Sequence, residues 1–450
     1  MTAEIIIMNR EAVALAADSA STIKGARGQK IFTSPSINKI FALSQYSPVG
    51  IMVYGTANFM KVPWEIIIKI YRSKLKNKKF NTLKEYSDDF LDFLNQHTNL
   101  FPESEQKIYF ERYISSYFLL ITASIKNKIK QLITKNKNLT TKEIEDIILK
   151  EIEDIISKIL KEYNRKLKEA ETIPNLPKNH NEQCKKNYGK IIEKAKKDIF
   201  EKLPMTQSLS KLLIEIGLNV FSKMPKLVSP YSSGVVITGF GEKDLFPSFQ
   251  SFFIEGIINN ILHYGKYGEI NINFEVGSSI VPLAQKEMVF NFMEGVNPIY
   301  EKEINKIFSQ IFDEYPKIII ESINKLKNEE KTELKEKLKA MSNEWKEKNI
   351  KRRKEYRRKK FVNPVINTVT MLPKDELAAM AESLVSLTSL KKSVTIEAPT
   401  VAGPIDVAII SKGDGFIWIK RKYYFKAELN PRFFEKYKKE VKSDKRVQKK

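Results

Sequence analysis

The sequence predicts a layered core that mixes helices and sheet, of the α+β or α/β class. Short apolar and β-branched runs fill residues 2–60 and return between residues 233 and 276. Between these blocks, residues 56–228 carry apolar side chains at the three-to-four-residue spacing of amphipathic helices. Strand-rich blocks separated by helical blocks are typical of layered folds in which helices cover sheets.

The first strand-rich block contains two pairs of strands. The runs EIIIM and AVALAAD are separated by Asn9-Arg10-Glu11, which predicts a hairpin. INKIFAL and VGIMVYG follow, split by a turn-like segment. The last two strands are PIDVAIIS and GFIWIKRK. Because strands stand near both ends of the chain, the first and last of them are candidates for pairing in one sheet.

The helical segments are of two kinds. NFMKVPWEIIIKIYRSKL and the block that repeats KEIEDII at 142–148 and 150–156 have apolar stripes, so we expect them to pack on a partner. Residues 300–362 form a long, highly charged helical stretch. The remaining expected elements are the strands SGVVITGFG, SFQSFFIEGII and EININFEVG, a helix from Pro282 to Met293, and a helix over 373–390.

The composition restricts the cellular setting. No apolar run approaches the roughly 20 residues that cross a bilayer, so no membrane contact is expected. Glu4, Asn9, Arg10 and Glu11 interrupt the first stretch, which therefore does not resemble a signal peptide. Cys184 is the single cysteine, which excludes an intramolecular disulfide and favours a reducing, cytoplasmic setting.

The net charge of +23 raises the question of a nucleic-acid partner. The run Lys346–Lys360 is basic and contains Tyr356, which would suit phosphate contacts. Lysine is mixed with Asn, Ile and Glu throughout, however, so a solvated helix face explains the run better. Nucleic acid is thus a partner that the sequence allows but does not favour. No Walker motif is present, so any ATP-driven unfolding requires a separate ATPase.

The three histidines do not have the spacing of metal ligands. His97, His180 and His263 are scattered along the chain. We therefore interpret them as surface or core residues and expect neither a metal nor another cofactor.

Thr2 is a candidate nucleophile. Methionine aminopeptidase removes Met1 when the next residue is small, and Thr2 would then carry a hydroxyl and a free α-amine. An α-amine titrates near ~8, so part of it is neutral near pH 7 and can accept the hydroxyl proton. Such a mechanism needs a cation near the amine, a carboxylate that holds the cation, and an N–H donor for the oxyanion. Asp18, Lys39 and the turn after the fourth strand are the nearest candidates.

The neighbouring motifs resemble the proteasome β-subunit family, including the bacterial HslV-type peptidases. The specific part is Thr2 followed by AVALAADSAST at 12–22, SINKIFAL at 36–43 and VYGTANF at 53–59. The segments SGVVITGFGEKDLFPSFQSFFIEG, VGSSIVPLAQKEM, PKDELAAMAESLVSLTSL and APTVAGPIDVAIISKGDGFIWI resemble later parts of that family in the same order.

The resemblance implies a four-layer αββα sandwich, the N-terminal nucleophile (Ntn) hydrolase fold, with two helical insertions. The core would comprise residues 2–60, 230–298 and 370–425. A helical layer plus an insertion would occupy 61–229, a charged helical insertion 299–369, and a basic tail 426–450.

The resemblance also implies roles for individual residues. Thr2 would be nucleophile and base, and Asp18 and Lys39 the charge pair that tunes it. The remaining roles are hydrogen bonding to the amine (Ser278, Ser279), the oxyanion donor (Tyr54, Gly55), substrate binding (Thr22, Met52, Thr56) and a supporting acid and hydroxyl (Glu397, Thr400). The family commonly has glycine where Tyr54 stands, and the bulky ring is a departure that bears on access.

These expectations define a threonine-type endopeptidase or amide hydrolase that acts on a peptide or protein and assembles into a homo-oligomer. Two alternatives stay open. One is a small-molecule amidase of the same fold, and the other is a catalytically silent scaffold or nucleic-acid-binding protein that uses the basic insertion.

Overall fold

The fold is taken from a computed structural model of the chain. It describes residues 3–25, 28–34, 37–97, 99–135, 141–174, 176–223, 232–323, 327–395 and 403–435. The chain divides into two compact units. The first unit comprises Met1–Ile40, Leu245–Pro247 and Asn271–Lys450, and the second comprises Phe41–Asp244 and Ser248–Ile270.

The strands are numbered in chain order. They are β1 (Ala3–Asn9), β2 (Ala12–Ala17), β3 (Ala20–Gly25), β4 (Gly28–Thr33), β5 (Ile40–Ala42), β6 (Val49–Gly55), β7 (Asn58–Phe59), β8 (Val62–Pro63), β9 (Ser233–Gly239), β10 (Ser248–Ile258), β11 (Ile261–Asn271), β12 (Ser278–Ala284), β13 (Asp406–Ser411) and β14 (Gly415–Lys420).

The helices are numbered in the same way. They are α1 (Trp64–Leu75), α2 (Leu83–Gln96), α3 (Glu103–Lys135), α4 (Thr141–Glu169), α5 (His180–Phe200), α6 (Gln207–Asn219), α7 (Glu287–Glu294), α8 (Pro298–Ser322), α9 (Asn328–Arg357), α10 (Asn363–Met371) and α11 (Lys374–Val394). Within the described residues, no helix is both long and apolar enough to cross a membrane.

The first unit contains a five-stranded sheet in the order β12-β1-β2-β13-β14, with antiparallel neighbours. Strands β1 and β2, from the start of the chain, join β13 and β14, from near its other end, through the pairing of β2 with β13. Alternate residues of β1 and β2, such as Ile5 and Ala14, pack with Leu377 and other side chains of α7, α10 and α11. Ile6 and Leu15, on the other face, are also fully buried. Both faces of this sheet are therefore covered.

The second unit contains a five-stranded sheet in the order β11-β10-β9-β6-β5. Its apolar core joins residues such as Ile51 and Val235 to the aromatic side chains of α1 and α2, including Trp64 and Phe90. A second core lies among α3 to α6 and includes Ile156 of the repeated KEIEDII segment. The chain is thus a mixed α+β protein with antiparallel sheets.

Two local expectations are corrected. The strand expected at EININFEVG lies mostly after β11, which ends at Asn271. The segment from Pro282 is the end of strand β12, and helix α7 begins only at Glu287. Because β12 is an edge strand, Pro282 can stand in it without removing an interior hydrogen bond. The sequence also did not indicate the two-stranded β3–β4 sheet, in which Ala20 lies opposite Thr33.

The charged stretch is an antiparallel pair of helices, α8 and α9. From α9 the helix continues through a π-helical segment, Arg358–Val362, into α10. The N–H of Asn363 donates to the carbonyl of Arg358, five residues earlier. Pro364 follows directly, and a proline has no N–H for an ordinary helical bond. Because α10 packs on β12 and β1 through Val365 and Val369, the charged insertion ends before it.

Candidate active site

Asp18 follows β2 directly and is completely buried. Its Oδ1 atom accepts a hydrogen bond from the backbone N–H of Ala3, at 3.1 Å, and its own N–H donates to the carbonyl of Ala3, at 3.1 Å. Its Oδ2 atom accepts from the N–H of Ala20, at 3.2 Å. The carboxylate therefore holds the start of β1 against the end of β2.

Lys39 completes this arrangement with an ion pair. Its Nζ atom lies 2.5 Å from Oδ1 of Asp18, and both side chains are almost entirely shielded from solvent. The structure thus brings together the two charged residues that the sequence singled out. Burying an ammonium and a carboxylate is expensive unless they are paired and further hydrogen-bonded, as this carboxylate is.

A second buried ion pair stands at the same end of the sheet. Asp406 begins β13 opposite Ala17, the residue before Asp18. Its Oδ2 atom lies 2.9 Å from Nζ of Lys422, and its Oδ1 atom accepts the backbone N–H of Lys422 at 2.9 Å. Both side chains are buried almost completely.

The two pairs act on each other electrostatically. Burial lowers the pKa of the Lys422 ammonium and Asp406 opposes that shift, while the positive charge of Lys39 lowers it further and Asp18 opposes it. Two cations and two carboxylates are thus gathered at one end of a single sheet. The hydroxyl of Ser19 also donates to the carbonyl of Pro404, which links the residue after Asp18 to the segment before β13.

Asp406 and Lys422 were not among the site residues expected from the sequence. The available signal was an Asp in the otherwise apolar strand PIDVAIIS, since a charged residue inside a buried strand needs a partner. The partner could not be identified from the chain, because Lys422 stands among many exposed lysines and arginines.

Ser278 and Ser279 do not lie with this cluster, which corrects their expected place beside the start of β1. They pair with Asn9 and Met8, at the far end of β1 from Ala3. A strand rises ~3.4 Å per residue, so the separation is about 20 Å. The Ser278 hydroxyl instead donates to the carbonyl of Ile366 in α10, at 2.7 Å.

Ala284 is the β12 residue opposite Ala3. Its φ angle is +56°, in the left-handed region that a residue with a Cβ atom adopts rarely. Backbone strain of this kind is concentrated at functional sites. The segment after β12, beginning with Gln285, therefore stands nearer to Asp18 than the serine motif does.

Tyr54 lies in the second unit at the end of β6, opposite Gly234 of β9. A Cβ atom on Gly234 would lie 2.0 Å from the Cζ atom of Tyr54, so the ring covers that glycine. The bulky side chain is accommodated on the neighbouring strand. Met52, two residues earlier, is fully buried in the same strand.

Gly55 and Thr56 follow in a constrained turn. Gly55 has φ +89°, and a Cβ there would approach the carbonyl oxygen of Ser232 to 3.0 Å. The Thr56 hydroxyl donates to the carbonyl of Asn58, at 3.1 Å, and lies 2.5 Å from the hydroxyl of Ser233. That hydroxyl accepts the indole N–H of Trp64 at 2.9 Å. The Thr56 hydroxyl is thus used within the turn, so a substrate contact at this position would use its backbone groups.

For the other predicted site residues, the structure gives a strand position for Thr22 only. Thr22 stands in β3 opposite Ile31. Thr2, Glu397 and Thr400 lie outside the described residues.

The second unit buries a different polar cluster. Sγ of Cys184 lies 3.3 Å from Nε2 of His180, and the ring of His263 is 5.8 Å from that of His180. Burial raises the pKa of the Cys184 thiol to about 12 and lowers that of His263 to about 3. Both groups are therefore neutral near pH 7. Among the described residues, no group of three or more His, Cys, Asp or Glu side chains could hold a metal ion.

Part of the basic run Lys346–Lys360 packs against α8. Arg357 forms an ion pair with Glu301 of α8, and Arg353 donates to Asn305 and stacks over the Phe308 ring, 4.9 Å from its centroid. Arg352 and Arg358 are exposed.

No model of a known protein family matches the chain, and no curated protein matches it either.

Proposed function

We propose that the chain is a proteasome-like, threonine-type Ntn hydrolase that cleaves peptide or amide bonds with Thr2. One observation carries the proposal. The Asp18 carboxylate binds both the amide of Ala3, which is bonded to Thr2, and the ammonium of Lys39. The mechanism needs this connection, since the cation must be held close to the residue that precedes Ala3.

In the proposed reaction, the Thr2 hydroxyl oxygen attacks the substrate carbonyl carbon while the neutral α-amine takes the hydroxyl proton. The tetrahedral intermediate then collapses, the C–N bond breaks, and that proton passes to the leaving nitrogen. Water attacks the resulting ester and gives a proton to the same amine, which releases the acid and restores the hydroxyl. No metal or cofactor is needed for these steps.

Lys39 has an electrostatic role in this scheme. A nearby positive charge disfavours protonation of the α-amine and favours the developing alkoxide. Asp18 holds Lys39, while Asp406 and Lys422 are positioning residues that fix the same end of the sheet. The backbone N–H near Tyr54 and Gly55 is the proposed oxyanion donor.

The proposed architecture is the four-layer αββα sandwich. It is supported by the two five-stranded sheets and by the burial of both faces of the first unit's sheet, one of which packs on α7, α10 and α11. We also propose a peptide or protein substrate, self-assembly, a cytoplasmic setting and a separate ATPase wherever folded substrates are unfolded first.

The test compares Thr2→Ala with Thr2→Ser, since Met1 removal tolerates both small residues. Mass spectrometry of the purified wild type should show Met1 removed. Thr2→Ala should lose hydrolysis of peptide reporters by at least about 10³-fold, whereas Thr2→Ser keeps a hydroxyl and should retain measurable activity. Quantitative retention of Met1, or a Thr2→Ala variant as active as wild type, would overturn the proposal. Activity confined to small amides would identify the amidase alternative.

A further inference from the structure

Helix α8 exposes a narrow apolar seam. Tyr300, Ile307, Ile311 and Ile318 are 63%, 42%, 51% and 59% exposed. At about 100° per residue, these four side chains fall within a sector of roughly 40° on the helix surface. Exposed apolar patches of this kind mark interaction surfaces, while single exposed apolar residues do not.

The seam is separate from the face that binds α9. Asn305 and Glu301 contact Arg353 and Arg357 of α9, and Pro316 is buried on the same side of α8. Helix α8 therefore has two contact faces. One is occupied by α9, and the seam is exposed in the described chain.

The spacing of the seam fits a coiled coil. Tyr300, Ile307, Ile311 and Ile318 are separated by seven, four and seven residues, and Ile304 stands between the first two. These five residues fill five of the six successive a and d positions between 300 and 318, and Glu314 occupies the sixth. The positions are also symmetric about residue 309, since 300 and 318 are equally far from it, as are 307 and 311. The seam therefore presents the same spacing in both chain directions.

The charges beside the seam have the same symmetry. Glu303 and Lys317 occupy equivalent g positions on either side of Gln310. In an antiparallel pair of identical helices, g positions face g positions. Glu303 of each copy would then face Lys317 of the other, and Gln310 would face itself.

We propose that α8 pairs antiparallel with α8 of a second copy of this chain, about a two-fold axis near Ser309. Tyr300 then packs on Ile318 of the other copy, and Ile307 on Ile311. An isologous interface requires a self-complementary patch, and this seam is one in both shape and charge. The proposal does not depend on hydrolase activity.

The expected contact is of moderate strength. Tyr315 and Phe308 border the seam and are also exposed. With them, the apolar area per copy is on the order of several hundred Å², which approaches that of a standard-sized interface. Glu314 would stand opposite Ile304, and its carboxylate must turn toward solvent. That mismatch favours a dimer that exchanges over a permanent one.

The direct test is thiol crosslinking of the full chain. Cys184 is buried and its pKa is raised to about 12, so it gives little background reaction. Gln310→Cys places a thiol close to its own symmetry mate, and a short bismaleimide should convert this variant to covalent dimer. Asp313→Cys, on the opposite side of α8, is the matched control and should stay monomeric on denaturing gels. Equal dimer yields in the two variants, or none in either, would overturn the proposal.

A charge exchange tests the antiparallel register by sedimentation equilibrium. Glu303→Lys and Lys317→Glu should each weaken self-association by about threefold or more, because like charges then meet twice across the axis. The double variant should return to the wild-type dissociation constant. Ile307→Glu should weaken association by tenfold or more. If the double variant is as weak as the single variants, or Ile307→Glu associates like wild type, the register is wrong.

Discussion

The two units bury titratable groups in opposite ways. In the first unit, Asp18, Lys39, Asp406 and Lys422 are buried as two ion pairs. In the second unit, the buried imidazole of His263 and the thiol of Cys184 have pKa values that keep them uncharged near pH 7.

Burying a neutral group costs less free energy than burying a charged one, because a desolvated charge must be paired and hydrogen-bonded to be tolerated. A protein that can keep a buried site neutral, as the second unit does, has no structural reason to gather four charges at one strand end. The contrast therefore favours a functional reason for the charged end of the first unit's sheet.

The largest expected effect tests the charged end. Lys422→Met leaves the Asp406 carboxylate buried without its cation and should destabilise the fold by about 3–5 kcal/mol. Chemical denaturation measures this loss. Asp406→Asn combined with Lys422→Met removes both charges and should recover most of the loss.

Lys420→Met is the control for this prediction. Lys420 is nearby in the chain, but its side chain is 55% exposed, so its loss should change the free energy of unfolding by under about 0.5 kcal/mol. In the folded double variant, the acidic limb of the activity–pH profile should shift, because Lys39 loses two neighbouring charges. An unshifted profile would make the second pair purely structural.

The next effect tests close packing in the second unit, where no charge is involved. Gly234→Ala adds a Cβ atom that would lie 2.0 Å from the Tyr54 ring, which should destabilise by about 1–3 kcal/mol. Gly413→Ala is the control, since a Cβ there meets no atom within 4 Å. Thermal unfolding distinguishes the two. If Tyr54→Ala fails to relieve the effect of Gly234→Ala, the ring is not the cause.

The last effect is spread over a pH range and concerns His263. Its folded pKa of about 3 lies below its unfolded value of ~6.5, so below pH 6.5 the unfolded chain binds the proton and the folded chain does not. The stability contributed by the neutral ring is complete above pH 6.5 and is lost as the pH falls toward 3, by about 1.4 kcal/mol per pH unit. Between pH 7 and 5 the loss should be about 2 kcal/mol.

His263→Phe removes this titration, so its free energy of unfolding should fall less steeply between pH 7 and 5 than that of wild type. His97→Gln is the comparison, because His97 is only half-buried and should contribute a smaller slope. Parallel pH curves for wild type and His263→Phe would show that folding does not lower the pKa of His263.

The site was predictable where the information is local. Asp18 and Lys39 could be named because each stands in an apolar run that is recognisable in the sequence, AVALAAD for Asp18 and INKIFAL for Lys39. The serines at 278 and 279 could not be placed, because the register of β12 on β1 depends on long-range pairing that no local motif encodes. Asp406 and Lys422 were missed for a related reason, since a bulge in β14 and the course of the segment after it decide which lysine reaches the carboxylate.

The fold followed the same rule. Apolar runs and periodicity identified the long helices and eight of the ten strands in the two five-stranded sheets, whereas most of β11 and all of β12 were missed. The segment from Pro282 was assigned to a helix, although an edge strand such as β12 tolerates proline. Tyr54 stands where the resembled family commonly has glycine, and the sequence does not reveal which residue its ring packs against. The strand partner Gly234 supplies the space that the ring needs.

The π-helical segment at Arg358–Val362 sets the angle, about the helix axis, between the side chains of α9 and those of α10. A π turn contains one more residue than an α turn, so every side chain beyond it is turned by about 100° relative to an uninterrupted helix. The residues of α9 that face α8 and those of α10 that face the sheet can therefore belong to one continuous rod. Deleting one residue from this segment would rotate the α8–α9 pair about the axis of α10. The direction in which the α8 seam faces, relative to α10, therefore depends on the one extra residue of the π-helical segment.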